Sequence, residues 1–231
     1  MRFEKCLLII LCFLQFSCND RSKSNLNNSI EFDSILENDT LLLTKTPENL
    51  KSWITFYSKT DKQFTLSNFK ASGVILHMPE LKKTDSSLKI NLSLQPLFEY
   101  APNRLKYIDL WSYGQDSIPE KAWKSRSELA KYIGLGEADQ QVVLALEDGQ
   151  RYELMFNGPA NFSEIADWIN NDQLLISLVT KEREVFTFEI FIFDISQNLF
   201  TNYRLNHTYP DTVEKQSYIE FRLNETDKLI K

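Results

Sequence analysis

Cysteine is missing from this chain after position 18, and histidine is nearly missing altogether. The cysteines are Cys6, Cys12 and Cys18, and the two histidines are His77 and His207. The first absence excludes disulfides and thiolate metal sites in the body of the chain. The second leaves no H-E-x-x-H motif, and with 6 glycines in 231 residues there is neither a Gly-rich phosphate loop nor a G-x-S-x-G elbow. Basic residues form no run, which argues against a nucleic-acid partner. No metal or other cofactor is expected. Hydrophobic residues are plentiful at 42%, and aromatics reach 13%. A chain of this length can bury a large core without cross-links.

The first eighteen residues read M-R-F-E-K-C-L-L-I-I-L-C-F-L-Q-F-S-C. Arg2 and Lys5 make a positive start, and Cys6 to Phe16 is an apolar run too short to span a bilayer, which takes about 20 residues. That pattern fits a secretory leader. Leu14-Gln15-Phe16-Ser17-Cys18 resembles a bacterial lipobox, with small Ser17 before the cysteine, although Phe16 stands where most lipoboxes have a small residue. The Asn-, Lys-, Ile- and Phe-rich composition resembles that of Bacteroidetes-type lipoproteins. The resemblance implies a signal peptide over 1–17, lipidation of Cys18, and an anchor in the inner or outer membrane of the cell envelope. An ordinary cleaved signal or a short uncleaved anchor are the alternatives. A lone acyl chain anchors only marginally, at roughly 0.8 kcal/mol per buried CH₂, so stable attachment needs more than one. Setting Arg2, Lys5 and Glu4 aside takes the 26 basic residues to 24 and the 32 acidic ones to 31, a balance of −7. Asn19 to Thr40 is polar and Asn/Ser-rich, and with Cys18 it reads as a flexible tether over 18–45. An exported domain over 46–231 follows.

Within that domain Val185 to Ile195 reads V-F-T-F-E-I-F-I-F-D-I. Alternate strand residues point to opposite sides, and here both sides are apolar from Ile190 to Phe193. A strand of this kind requires cover on both faces. Upstream, Thr46-Pro47-Glu48 predicts a helix start, with Thr46 as cap and Pro47 in the first turn. Leu50, Trp53, Ile54 and Tyr57 then form one apolar stripe. Phe64–Leu66, Gly73–Met78 and Leu88–Leu94 read as strands, and Ser217–Leu223 as a final one.

Two stretches resemble each other. Tyr100 is followed three residues later by Asn103 and then by a strand over Tyr107–Trp111. Trp168 is followed three residues later by Asn171 and then by a strand over Leu175–Val179. Each leads to a hairpin: Gln141–Glu147 with Arg151–Phe156 across an Asp148-Gly149 turn, and Phe186–Asp194 with Leu199–Leu205 across Ser196–Asn198. The starts lie 68 residues apart and the hairpins 47 apart, so the first unit carries an insertion. Four-stranded units at such spacing resemble β-propeller blades, although no WD or kelch signature occurs. The implied fold is mainly β: antiparallel four-stranded meanders over about 100–156 and 165–205, as a partial or open propeller, with one short N-terminal helix. Two unrelated meanders of a β-sandwich are the alternative.

The insertion, Gly114 to Ala138, reads as partly helical over Ser127–Gly134. It carries Trp123 and Tyr132, with Trp111 and Tyr113 at its root and Glu137 and Asp139 behind. Aromatics with polar tips suit sugars and protein interfaces, so these six residues are the candidate binding set for a polysaccharide or an envelope protein. The other reading is that the insertion caps a sheet edge. Asp109, Glu137 and Asp139 are the carboxylates available for acid–base work. His77 reads as a packed strand residue and His207 as a loop residue. Two functions remain open: a non-catalytic binding or scaffold module on a membrane anchor, or a glycoside hydrolase-like enzyme acting on envelope or dietary polysaccharide.

Overall fold

The computed structural model describes residues 47–75, 81–84, 95, 97–113, 139–210, 218, 221 and 222. Among the described residues the protein is mainly β and antiparallel, with one helix of several turns. The phenylalanine-rich ribbon forms β10 (Val185–Asp194), paired along its whole length with β9 (Gln173–Glu182). On the other side it pairs with β11 (Leu199–Leu205) and then β12 (Tyr209–Pro210). Beyond β11 lies β1 (Phe69–Ile75), and beyond β9 lie β7 (Asn161–Phe162) and β8 (Ala166–Trp168). The two faces of β10 feed two separate cores. Phe188, Ile190 and Ile192 join Leu175 and Val179 beneath the helix, while Phe193 joins Leu174 and Ile176 against the second sheet. The two-sided burial read from the sequence is what the fold contains.

The second sheet runs β2-β6-β5-β4-β3, from β2 (Lys82–Lys83), β3 (Glu99–Tyr100), β4 (Tyr107–Asp109), β5 (Gln140–Ala145) and β6 (Arg151–Asn157). Its inward residues Ile108, Val142 and Leu144 meet the first sheet through Ala166, Trp168 and Phe193. The two resembling stretches therefore fold alike. Each is a meander, β3-β4-β5-β6 or β8-β9-β10-β11, and each takes an earlier strand on its far edge, β2 or β1. They also touch: the Asn103 backbone N–H donates to Asn171 Oδ1 at 3.0 Å, and Trp168 Nε1–H donates to the Glu99 carbonyl at 2.8 Å. The Asp148-Gly149 turn forms as expected, with Gly149 at φ 79° and its N–H bonded to the Leu146 carbonyl. Among the described residues the sheets stack face to face, and no closed barrel or propeller is formed.

The helix α1 (Glu48–Ser58) lies on the outer face of the first sheet, burying Leu50 and Trp53. Its start differs from expectation by one residue: Pro47 is the N-cap and Glu48 the first helical residue, with no local side-chain cap. The cap comes from β8 instead, where Asp167 Oδ2 accepts the Asn49 N–H at 2.9 Å. Thr46 lies outside the described residues.

Three strand expectations fare differently. Phe64–Leu66 is turn and 3-10 backbone, because the Phe64 ring plugs the core between Trp53 (5.1 Å) and Phe188 (4.9 Å) and its N–H bonds locally to Asp61. The adjacent strand, β1, begins at Phe69 rather than Gly73. At the C-terminal end Tyr218, Phe221 and Arg222 are helical, not extended. Tyr218 and Phe221, three apart and so on one helical face, both meet the Phe56 ring, at 5.4 and 5.2 Å. Leu88–Leu94, the tether and the whole insertion fall outside the described residues.

Candidate functional site

The outer face of the second sheet gathers the most chemistry. Tyr107 and Asp109 on β4 share it with Gln141, Val143 and Ala145 on β5 and with Arg151 and Glu153 on β6, and of these Asp109, Gln141, Val143 and Ala145 are buried. Strand parity would send Phe156 to the opposite side from Arg151 and Glu153. A register shift between Val142 and Val143, which leaves Leu154 unpaired, resets that parity and aligns Phe156 with Gln141. A bulge of this kind re-aims a side chain. Phe156 is 49% exposed, and Tyr113, 38% exposed, meets it edge-on at 5.5 Å.

The polar groups beside this pair are held in place. Gln141 Nε2 donates to Glu153 Oε2 at 2.6 Å. Asp109 is fully buried; its Oδ1 accepts the N–H groups of Trp111 and Ser112 at 2.9 Å each, and Oδ2 lies 3.5 Å from Arg151 Nη2. Burial pushes the Asp109 carboxyl above its ordinary value, against those N–H groups and the guanidinium. Burial likewise raises the Tyr107 phenol. Asp109 thus fixes the turn that leads out of β4. A carboxyl walled in this way has no open route to a substrate.

The expected binding residues separate accordingly. Trp111 is 7% exposed and belongs to the core between the sheets, its ring 6.3 Å from Phe162. Tyr113 is on the surface, and Asp139 is exposed immediately before β5. Trp123, Tyr132 and Glu137 lie outside the described residues, as do Cys18 and His77. The structure adds Gln141, Arg151, Glu153 and Phe156 to this face. Only the bulge brings Phe156 there, and no residue in the sequence marks a bulge.

Two further polar clusters are interior. Glu164 is 6% exposed and accepts Trp53 Nε1–H at 2.7 Å and the Tyr57 hydroxyl at 2.9 Å, riveting α1 to the sheet. Burial, then the carboxylate, holds the Tyr57 phenol well above its ordinary value. Gln140, Asn157 and Ser163 bond one another at 2.7–2.9 Å in the core-facing corner of β5 and β6. Among the described residues no cluster of three His, Cys, Asp or Glu side chains could hold a metal. No helix among them is long and apolar enough to cross a membrane. The chain matches no family model, no curated protein and no solved structure.

Proposed function

We propose that this chain is an exported lipoprotein, held in the cell envelope through Cys18, whose β domain is a non-catalytic binding module. Its working surface is the exposed Tyr113–Phe156 patch of the second sheet, and its ligand a polysaccharide or an envelope protein. The observation that carries this reading is the bulge that turns Phe156 outward beside Tyr113. Two exposed rings next to an ordered Gln–Glu pair suit a sugar ring, which stacks on aromatic faces while its hydroxyls seek fixed polar groups. The hydrolase reading has less support. Two catalytic carboxyls must flank one bond at a set spacing, whereas Asp109 is spent on backbone N–H groups and Asp139 is exposed. The parallel order of the two sheets also supports reading each as a blade-like unit, two in a stack.

Affinity electrophoresis through gels containing soluble polysaccharides tests the surface. The wild-type protein should be retarded by at least one of them, and Tyr113→Ala with Phe156→Ala should abolish the retardation while leaving the unfolding midpoint within its error. Retardation undiminished in the double variant would remove the face from consideration. Palmitate labelling tests the anchor: wild type should incorporate label and Cys18→Ala should not, and a labelled Cys18→Ala protein contradicts the lipobox.

A further inference from the structure

The two rings of the exposed patch, Tyr113 and Phe156, stand at 86° to each other with centroids 5.5 Å apart. Rings lying in one plane make a strip on which a neutral sugar chain stacks residue after residue. Rings at a right angle make a corner instead, in which two negative π-faces turn toward one point. A cation within about 6 Å of such a face is attracted by the ring quadrupole. The strand register sets carboxylates beside this corner. Gln141 lies directly across from Phe156, and Val143, the next residue along that face, lies across from Glu153. Glu153 is therefore the neighbour of Phe156 along the same face. It is half-buried and oriented by Gln141, whose Nε2 donates to its Oε2 at 2.6 Å. Asp139, exposed, stands two residues before Gln141. Lys82 on β2 is opposite Glu153, while Asp109 and Arg151 face each other at 3.5 Å and cancel. Two carboxylates against one ammonium leave the surroundings of the rings negative, as the whole chain is at −6.

We infer that the patch takes a glycan carrying free amino groups, with an ammonium seated in the Tyr113–Phe156 corner and Glu153 and Asp139 flanking it. The inference rests on the proposed sugar-binding role of this patch and narrows its ligand class. The apolar C–H face of a pyranose covers ring area as any sugar does. The ammonium adds an attraction that a neutral sugar lacks, and an acidic sugar meets two carboxylates instead. A lysine side chain brings the same charge on a flexible stem, without a flat C–H face, and ordering that stem costs entropy on binding. The pyranose carries its amine on a rigid ring. At an exposed position a cation–π contact corresponds to about a twofold to fivefold gain in affinity, which sets the size of the effect.

Isothermal titration of the full chain with two hexasaccharides of one backbone tests this: the glucosamine hexamer, and the N-acetylglucosamine hexamer in which every amine is acetylated. At about pH 5.5 the amines are charged and most carboxylates are ionised. The glucosamine hexamer should bind about threefold to fivefold tighter than its acetylated counterpart. Phe156→Leu, which keeps apolar bulk and removes the ring, should erase most of that gap, and Tyr113→Leu should do likewise, so that either variant carries the comparison. Hexalysine, which has the charge without the pyranose, should bind more weakly than the glucosamine hexamer. Equal affinity for the two hexasaccharides overturns the preference while sugar binding by the patch stands. A gap undiminished in the leucine variants is bulk attraction to an acidic chain and overturns the site. Tighter binding of hexalysine overturns the glycan in favour of a protein partner. Binding of neither hexasaccharide overturns the inference, and retardation in the polysaccharide gels then decides the wider reading by itself.

Discussion

Glu164 shows how one residue holds an element. Its carboxylate takes the Trp53 indole N–H and the Tyr57 hydroxyl, both on α1, from a position 6% exposed. Glu164→Ala leaves two buried donors without their acceptor, and breaking a buried charged network costs about 3 kcal/mol. Urea unfolding should register that loss, with Trp53→Phe costing about 1 kcal/mol through the single lost hydrogen bond. None of this was legible beforehand. Glu164 sits in the polar-looking run N-F-S-E-I-A, and its burial depends on an aromatic cluster more than a hundred residues upstream. Trp111 and Tyr113 make the opposite point. The sequence pattern groups both as binding aromatics, but Trp111 is 7% exposed and Tyr113 38%, because Asp109 turns the chain between them. Trp111→Ala should cost about 4 kcal/mol, whereas Tyr113→Ala should be nearly silent in the same measurement.

At the scale of elements, turns and caps carry the departures from sequence pattern. Arg104, Arg183 and Asn198 adopt φ of 58–60°. The two arginines have no glycine-like freedom there, so neither turn announces itself. Gly149, by contrast, does. Relieving a left-handed residue is worth roughly 0.5–1 kcal/mol, and Arg104→Gly should raise the urea midpoint accordingly; an unchanged or lower midpoint contradicts the strain. The cap of α1 is likewise remote. Asp167 accepts the Asn49 N–H, and its carboxyl is pushed up to about 6, chiefly by burial, with Glu99 adding to it and the N–H groups opposing. A raised carboxyl favours the folded state below its unfolded value near 4, and that advantage fades as pH climbs through about 6. The span corresponds to about 3 kcal/mol at most. Asp167→Asn should therefore flatten the stability profile between pH 4 and 6.5, read from urea midpoints across that range, and a slope unchanged in the variant would exclude Asp167 as its source. The helix itself was legible because Leu50, Trp53, Ile54 and Tyr57 keep helical spacing. The expected strand at Phe64–Leu66 failed because two apolar residues either side of a threonine fit a plugging turn as well as a strand.

Over the whole molecule, layering follows from one ribbon. β10 has apolar residues on both sides, so it needs α1 beneath and the second sheet above, and the two cores divide its residues by parity. That much was readable from Val185–Ile195, and the antiparallel meanders were readable from their strands and hairpins, because alternation and turn chemistry are local signals. The face-to-face stacking, the added edge strands β1 and β2, and the bulge beneath Phe156 depend on long-range pairing that no local signal encodes. The most direct test takes two neighbours on opposite sides of the ribbon. Ile190→Ala and Phe193→Ala should each lower the free energy of urea unfolding by about 2–5 kcal/mol, since Ile190 is fully buried and Phe193 is 4% exposed. If either substitution costs less than about 0.5 kcal/mol, its side of β10 is wet and the layered account is contradicted.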